Sequence, residues 1–152
     1  MFDLYDELTR VIEALENARI EYAVCGGLAM AIWAFPRATV DIDLLIEEAS
    51  LPAVERVVQP LGYVVRARPM SFAGGAMEIR RFSKIDSVDG DLLMLDLLLV
   101  TPRLRDVWTD RTRVEWERGE ISVVSREGLI KLKTFRSSGT DLDDIRHLKG
   151  DG

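Results

Sequence analysis

Apolar positions along the chain recur at two periods, and each change of period marks a new element. In "FDLYDELTRVIEALENARI", residues 2–20, Leu4, Leu8, Val11, Ile12 and Leu15 fall at helical spacing, and Asp3 stands where its carboxylate can cap the first turn. This predicts an amphipathic first helix. "EYAVCGG" predicts a short strand through Tyr22–Cys25, ended by Gly26 and Gly27, and "LAMAIWAF" a buried helix that stops before Pro36. "DIDLLIE" reads as a strand, "SLPAVERVVQPLG" as a helix with Ser50 capping and Pro52 in its first turn, and "GYVVRAR" as another strand. "AMEIRRFSKI" and "DLLMLDLLLV" lie either side of Asp89-Gly90, a strong hairpin signal; "TRVEWE" and "EISVVS" lie either side of Arg118-Gly119, a weaker one. The last stretches, "SREGLIKLKTFRSSG" and "TDLDDIRHL" with Thr140 as cap, read as helices. No repeat, low-complexity tract or long linker interrupts this order, so residues 1–152 are expected to form one α+β (mixed α/β) domain around a single sheet.

Composition narrows the chemistry. With 152 residues, 47% of them apolar and 30% charged, the chain can bury a real core. The longest apolar run, "VCGGLAMAIWAF", is too short and too glycine-bearing to span a bilayer, and "MFDLYDELTR" lacks the plan of a secretory signal. A cytoplasmic protein without membrane contact is expected. One cysteine and one histidine exclude an internal disulfide, a cysteine-cluster zinc site and a histidine-rich metal site. Any metal must be held by oxygen, which favours Mg²⁺ or Mn²⁺. The net charge of −6 argues against general affinity for nucleic acid, although local arginine clusters can act within an acidic protein.

Three features carry candidate chemistry. In "RATVDIDLL", residues 37–45, Asp41 and Asp43 occupy alternate positions at the start of an apolar run. On a strand they project to one face, about 6–7 Å apart, where like charges repel unless a cation lies between them. Water around an exposed strand start would serve as well. Asp96 sits inside "LLMLDLLLV", which reads as a central strand buried on both faces, where an ionised carboxylate costs several kcal/mol unless paired. Its partner is either a metal shared with Asp41 and Asp43 or one of the many arginines. Gly26-Gly27 lies where a strand turns into a helix, so the backbone could face an anion there, although a tight turn alone needs glycine too.

The order of these parts resembles the nucleotidyltransferase superfamily with the DNA polymerase β fold. "GGLAMAIWAFPRATVDIDLLI" is similar to the GG-x-A … R-x-T-x-D-I-D-L run of AbiEii-type nucleotidyltransferases, a group that includes toxins of bacterial toxin–antitoxin systems. "LIKLKTFRSSGTDLDDIRHL" resembles that group's L-I-x-x-K and its K-D-x-x-D-I-x-x-L helix, whose first aspartate lies eight residues after the lysine. The likeness runs from about Tyr22 to Leu148. It implies a central mixed sheet with flanking helices, Mg²⁺ (or Mn²⁺) as cofactor and an NTP as substrate. Carried over by position, Gly26 and Gly27 would hold the nucleotide phosphates, Asp41 and Asp43 would ligate the metal, and Asp96 would be the third carboxylate, acting as metal ligand or as base toward the attacking hydroxyl. Arg37 and Lys133 would neutralise the triphosphate, and Asp141 and Asp144 would orient those cations or the acceptor. Gly27 stands where some relatives have a phosphate-holding serine, and Thr140 where a basic residue often precedes the first aspartate of the last motif.

The implied reaction moves a nucleoside monophosphate to a hydroxyl acceptor, a tRNA end or a protein side chain, with a possible antitoxin partner. Two alternatives stand beside it: an antibiotic-type enzyme with a small-molecule acceptor, and a non-catalytic nucleotide-binding module. The face of the first helix could serve a homodimer. Arg66, Arg68, Arg80, Arg81 and Lys84, with Arg103, Arg105, Arg111 and Arg113, could track RNA, with Trp108 or Trp116 stacking on bases. Interleaved Asp106, Asp110, Glu115 and Glu117 favour a salt-bridged surface instead.

Overall fold

The computed structural model describes residues 1–33, 41–136 and 148–150. The first helix, α1 (Leu4–Asn17), is capped by Asp3, whose carboxylate accepts from the Asp6 N–H at 3.0 Å. Its apolar stripe, Leu8, Val11, Ile12 and Leu15, is buried as its spacing predicts. Strand β1 (Ala23–Cys25) leads into α2 (Gly26–Ile32), so the glycine pair forms the first turn of the helix rather than a turn before it. β2 (Asp41–Ile46) and α3 (Leu51–Val58) follow, then two short strands, β3 (Val65–Arg66) and β4 (Met70–Phe72). β5 (Met77–Ile85) and β6 (Leu92–Leu99) form the first hairpin, α4 (Arg105–Thr109) intervenes, β7 (Thr112–Trp116) and β8 (Gly119–Val123) form the second, and α5 (Arg126–Arg136) follows.

Among the described residues the eight strands make one mixed sheet, ordered β3-β5-β6-β2-β1-β8-β7, with β4 also against β5. β2 pairs with β6 in parallel and with β1 antiparallel, while β1 meets β8 in parallel. β6 therefore runs through the sheet interior, between β5 and β2, as its apolar run around Asp96 predicts. One face of the sheet is tied to α1: Glu7 accepts from Tyr63 Oη and from Lys84 Nζ, both at 2.9 Å. The other face lies under α5, whose Leu129 and Leu132 border a small cavity with Cys25, Asp43 and Met77.

Several local expectations are corrected. Ser50 makes no capping bond, because a 3₁₀ turn over Glu48–Ser50 already holds its backbone in the helical region, whereas a cap needs an extended residue. The strand expected over residues 62–68 shrinks to Val65–Arg66. The first hairpin is closed by a loop over residues 86–91, in which the Asp86 and Asp91 backbones meet and the Asp86 carboxylate accepts from the Val88 N–H at 2.8 Å. It is not a two-residue turn. No helix among the described residues is long and apolar enough to cross a membrane.

Candidate active site

Register builds the site. Cys25 pairs with Asp43, Asp43 with Asp96, and Asp96 with Arg81, so one row of side chains crosses β1, β2, β6 and β5. The pleat puts the whole row on one face, and Asp41, two residues before Asp43, projects from the same face. Thus the three carboxylates expected to converge come from adjacent strands. Asp96 is 4% exposed, while Asp41 and Asp43 are half-buried.

Gly26 lies against this row with φ +68°. A Cβ there would sit 2.1 Å from Asp43 Oδ2 and 2.9 Å from Asp43 Cβ, so only glycine leaves room beside that carboxylate. Gly27 is buried within α2. From α5, Lys133, 5% exposed, borders the same cavity as Gly26 and Asp43. Arg37, Asp141 and Asp144 lie outside the described residues.

One participant went unrecognised as a site residue. Arg81 donates from Nε to Asp96 Oδ1 at 2.7 Å and from Nη2 to Oδ2 at 2.9 Å, a two-pronged ion pair. The hydrogen bonding to Asp96 raises the guanidinium above its ordinary range; partial burial opposes the shift, and the charges of Asp96, Asp41 and Asp43 add to it. Of the two partners considered for Asp96, the arginine is therefore present. It was hidden by the hairpin: a two-residue turn at Asp89-Gly90 would set Asp96 opposite Ser83, whereas the longer loop shifts the register by two and sets it opposite Arg81. A shift of two preserves the face and changes the partner.

The donor set suits a hard divalent cation, being carboxylate oxygen on rigid strands, with the Gly26 backbone packed directly against Asp43. Among the described residues no three acidic, cysteine or histidine side chains are already closed around one point, and both Asp96 oxygens face Arg81. The residues fit the ion in chemistry, and at Asp96 an ion would compete with Arg81 for the same oxygens.

The remaining basic residues are largely paired. Arg66 meets Glu55, Arg105 meets Glu47 at 2.6 Å, Arg111 meets Glu21 at 3.1 Å and Arg113 meets Glu16 at 3.2 Å. These match a salt-bridged surface. Trp108 is 5% exposed beneath the Arg111 guanidinium, 3.9 Å from its ring centre, which removes it as a stacking platform. A larger cavity, about 600 Å³, opens by Glu16, Tyr22, Arg111 and Arg113, at the other end of β1 from Gly26.

No protein-family model matches the chain, and no curated protein matches it in sequence. Solved structures do. The lincosamide antibiotic adenylyltransferase LnuA, lincomycin-bound, superposes with a TM-score of 0.62 at 15% identity, covering 97% of both chains. TM1012 of Thermotoga maritima, assigned as a nucleotidyltransferase, gives 0.62 at 16%, covering 98% of this chain and 94% of its own. ANT(2'')-Ia in complex with adenylyl-2''-tobramycin gives 0.61 at 13%, covering 93% and 84%. At such identities the likeness speaks for architecture, and in architecture this chain, a mixed α+β sheet flanked by helices, has the nucleotidyltransferase fold.

Proposed function

We propose that the chain is a nucleotidyltransferase moving a nucleoside monophosphate from an NTP to a hydroxyl acceptor. The observation that carries this reading is the row Asp43–Asp96–Arg81, with Asp41 on the same face and the Gly26 backbone packed directly against Asp43. The acceptor oxygen bonds to the α-phosphorus, the bond from that phosphorus to the pyrophosphate oxygen breaks, and the hydroxyl proton leaves to a carboxylate of the trio, with Asp96 in that role. Gly26 and Gly27 admit the phosphates close to the backbone. Asp41, Asp43 and Asp96 would hold Mg²⁺ or Mn²⁺, which when bound supplies charge neutralisation and polarisation of the α-phosphate. Lys133, buried on α5, and Arg37, which lies outside the described residues, would stabilise the charge gathering on pyrophosphate, a contribution greater in the transition state than before it. Asp141 and Asp144 orient those cations or the acceptor.

The AbiEii-type motifs favour a tRNA or protein acceptor, with an antitoxin as partner. A small-molecule acceptor is favoured by a different observation: LnuA, lincomycin-bound, and ANT(2'')-Ia, bound to an adenylylated tobramycin, match 97% and 93% of this chain.

The test incubates the protein with Mg²⁺ and each α-labelled NTP, offering total tRNA, cell extract or hydroxyl-rich antibiotics, with Asp43→Ala as control. Label entering one acceptor class with the wild type only is the expected result and names the base and the acceptor. NTP binding without transfer to any acceptor would replace this reading with the non-catalytic nucleotide-binding module.

A further inference from the structure

Three carboxylates on one face of two adjacent strands pose a charge problem that the chain must solve before any ligand arrives. Asp96 is the most constrained of them, with its side chain 6% exposed on an interior strand. Its counter-charge is Arg81, which engages both of its oxygens. The backbone of Arg81 is fixed by eight cross-strand pairs, from Glu78 with Leu99 to Ile85 with Leu92. Its side chain is 32% exposed, so the guanidinium has a path to solvent that Asp96 lacks. A divalent ion and the guanidinium therefore compete for the same oxygens, and only the guanidinium can withdraw.

We propose that Arg81 is a positioning residue, a resident cation that holds Asp96 in the ion-free protein and yields at least one carboxylate oxygen when a divalent ion joins the three aspartates. Arg81 thereby sets the ion affinity of the site. This rests on the nucleotidyltransferase reading, since it takes the trio to be the ion's ligands. Arg80 provides the comparison: it lies on the opposite face of β5, across from Leu97, and donates to the Ile79 carbonyl at 3.2 Å.

The experiment measures Mn²⁺ binding to the full chain without nucleotide, by the electron paramagnetic resonance signal of free Mn²⁺, alongside thermal melts with and without the ion. Arg81→Met is expected to melt lower than wild type without Mn²⁺, to recover more on its addition, and to half-saturate at roughly tenfold lower Mn²⁺, the scale on which a ligand's own partner tunes affinity. Arg80→Met should bind as wild type does. Arg81→Lys, a single-point charge in place of the fork, guards against a methionine variant that fails to fold, and should half-saturate between wild type and that tenfold change. A variant that melts lower but half-saturates where wild type does would reduce Arg81 to a structural ion pair and overturn the proposal. Silence of wild type and every variant towards Mn²⁺ would overturn the metal reading of the trio as well, which separates the two failures.

Discussion

A methyl group at position 26 would land on a carboxylate. Gly26→Ala forces a side chain into the left-handed region, costing about 1–2 kcal/mol, and drives its Cβ onto Asp43, whose own Cβ is too near the backbone to swing clear. We expect a lower melting temperature and at least about a tenfold loss of transfer, the scale of a small misplacement of reacting groups; a variant that melts lower yet transfers at the wild-type rate would detach Gly26 from the chemistry. Asp43→Ala acts the opposite way on stability. It removes a charge that repels its neighbours, so the melting temperature should hold or rise while transfer and Mn²⁺ binding vanish, and full activity in this variant would refute the site. The aspartates of β2 and the glycine pair were legible in the sequence because alternation and a strand-to-helix turn are local patterns. Arg81 was not, because its role depends on a hairpin register that a six-residue loop decides.

At the scale of elements, the tie between α1 and the sheet is a buried polar cluster. Glu7, 5% exposed, accepts from Tyr63 and Lys84 at one oxygen and from Arg10 at the other, and the Lys84 ammonium also lies over the rings of Phe2 and Tyr63. Tyr63→Phe removes one bond to a charged acceptor and should lower unfolding stability by about 1.5 kcal/mol in urea denaturation. Glu7→Ala should cost more, about 3 kcal/mol, since it strands a partly buried ammonium and a buried phenol together. A Glu7→Ala loss no larger than that of Tyr63→Phe would show the cluster to be a surface decoration. The helix α1, strand β2 and the strands of both hairpins followed from pattern; their turns did not, since the first closes through residues 86–91 and the second through Glu117-Arg118, with Gly119 already in β8 and not in the turn. β4 and α4 did not: Met70–Phe72 is a short, largely exposed edge strand without a buried stripe, and Arg105–Thr109 is under two turns, too brief for helical periodicity to register.

For the molecule as a whole, two phenols set an alkaline limit. Burial, opposed by the Ser122 N–H and reinforced by Glu16, holds Tyr22 up to about 12, and burial with the Glu7 acceptor raises Tyr63 further. Both groups prefer the neutral form when folded, so their contribution is complete below the unfolded phenol value of about 10 and is lost as pH rises beyond it. Melting temperature should fall steeply between pH 10 and 12, and Tyr22→Phe should flatten that fall; an unchanged slope would place the sensitivity elsewhere. The parallel pairing of β2 with β6 carries a temporal consequence. α3 and β3 to β5 lie between those two strands, so their pairing closes a long loop before it gains any contact, a slow and late event in folding. A chain emerging from the ribosome presents Asp41 and Asp43 well before Asp96 exists, and those carboxylates stay apart from their third member until nearly the whole sheet has been synthesised. Arg81 precedes Asp96 in the chain, so the third carboxylate meets its counter-charge as soon as β6 pairs with β5.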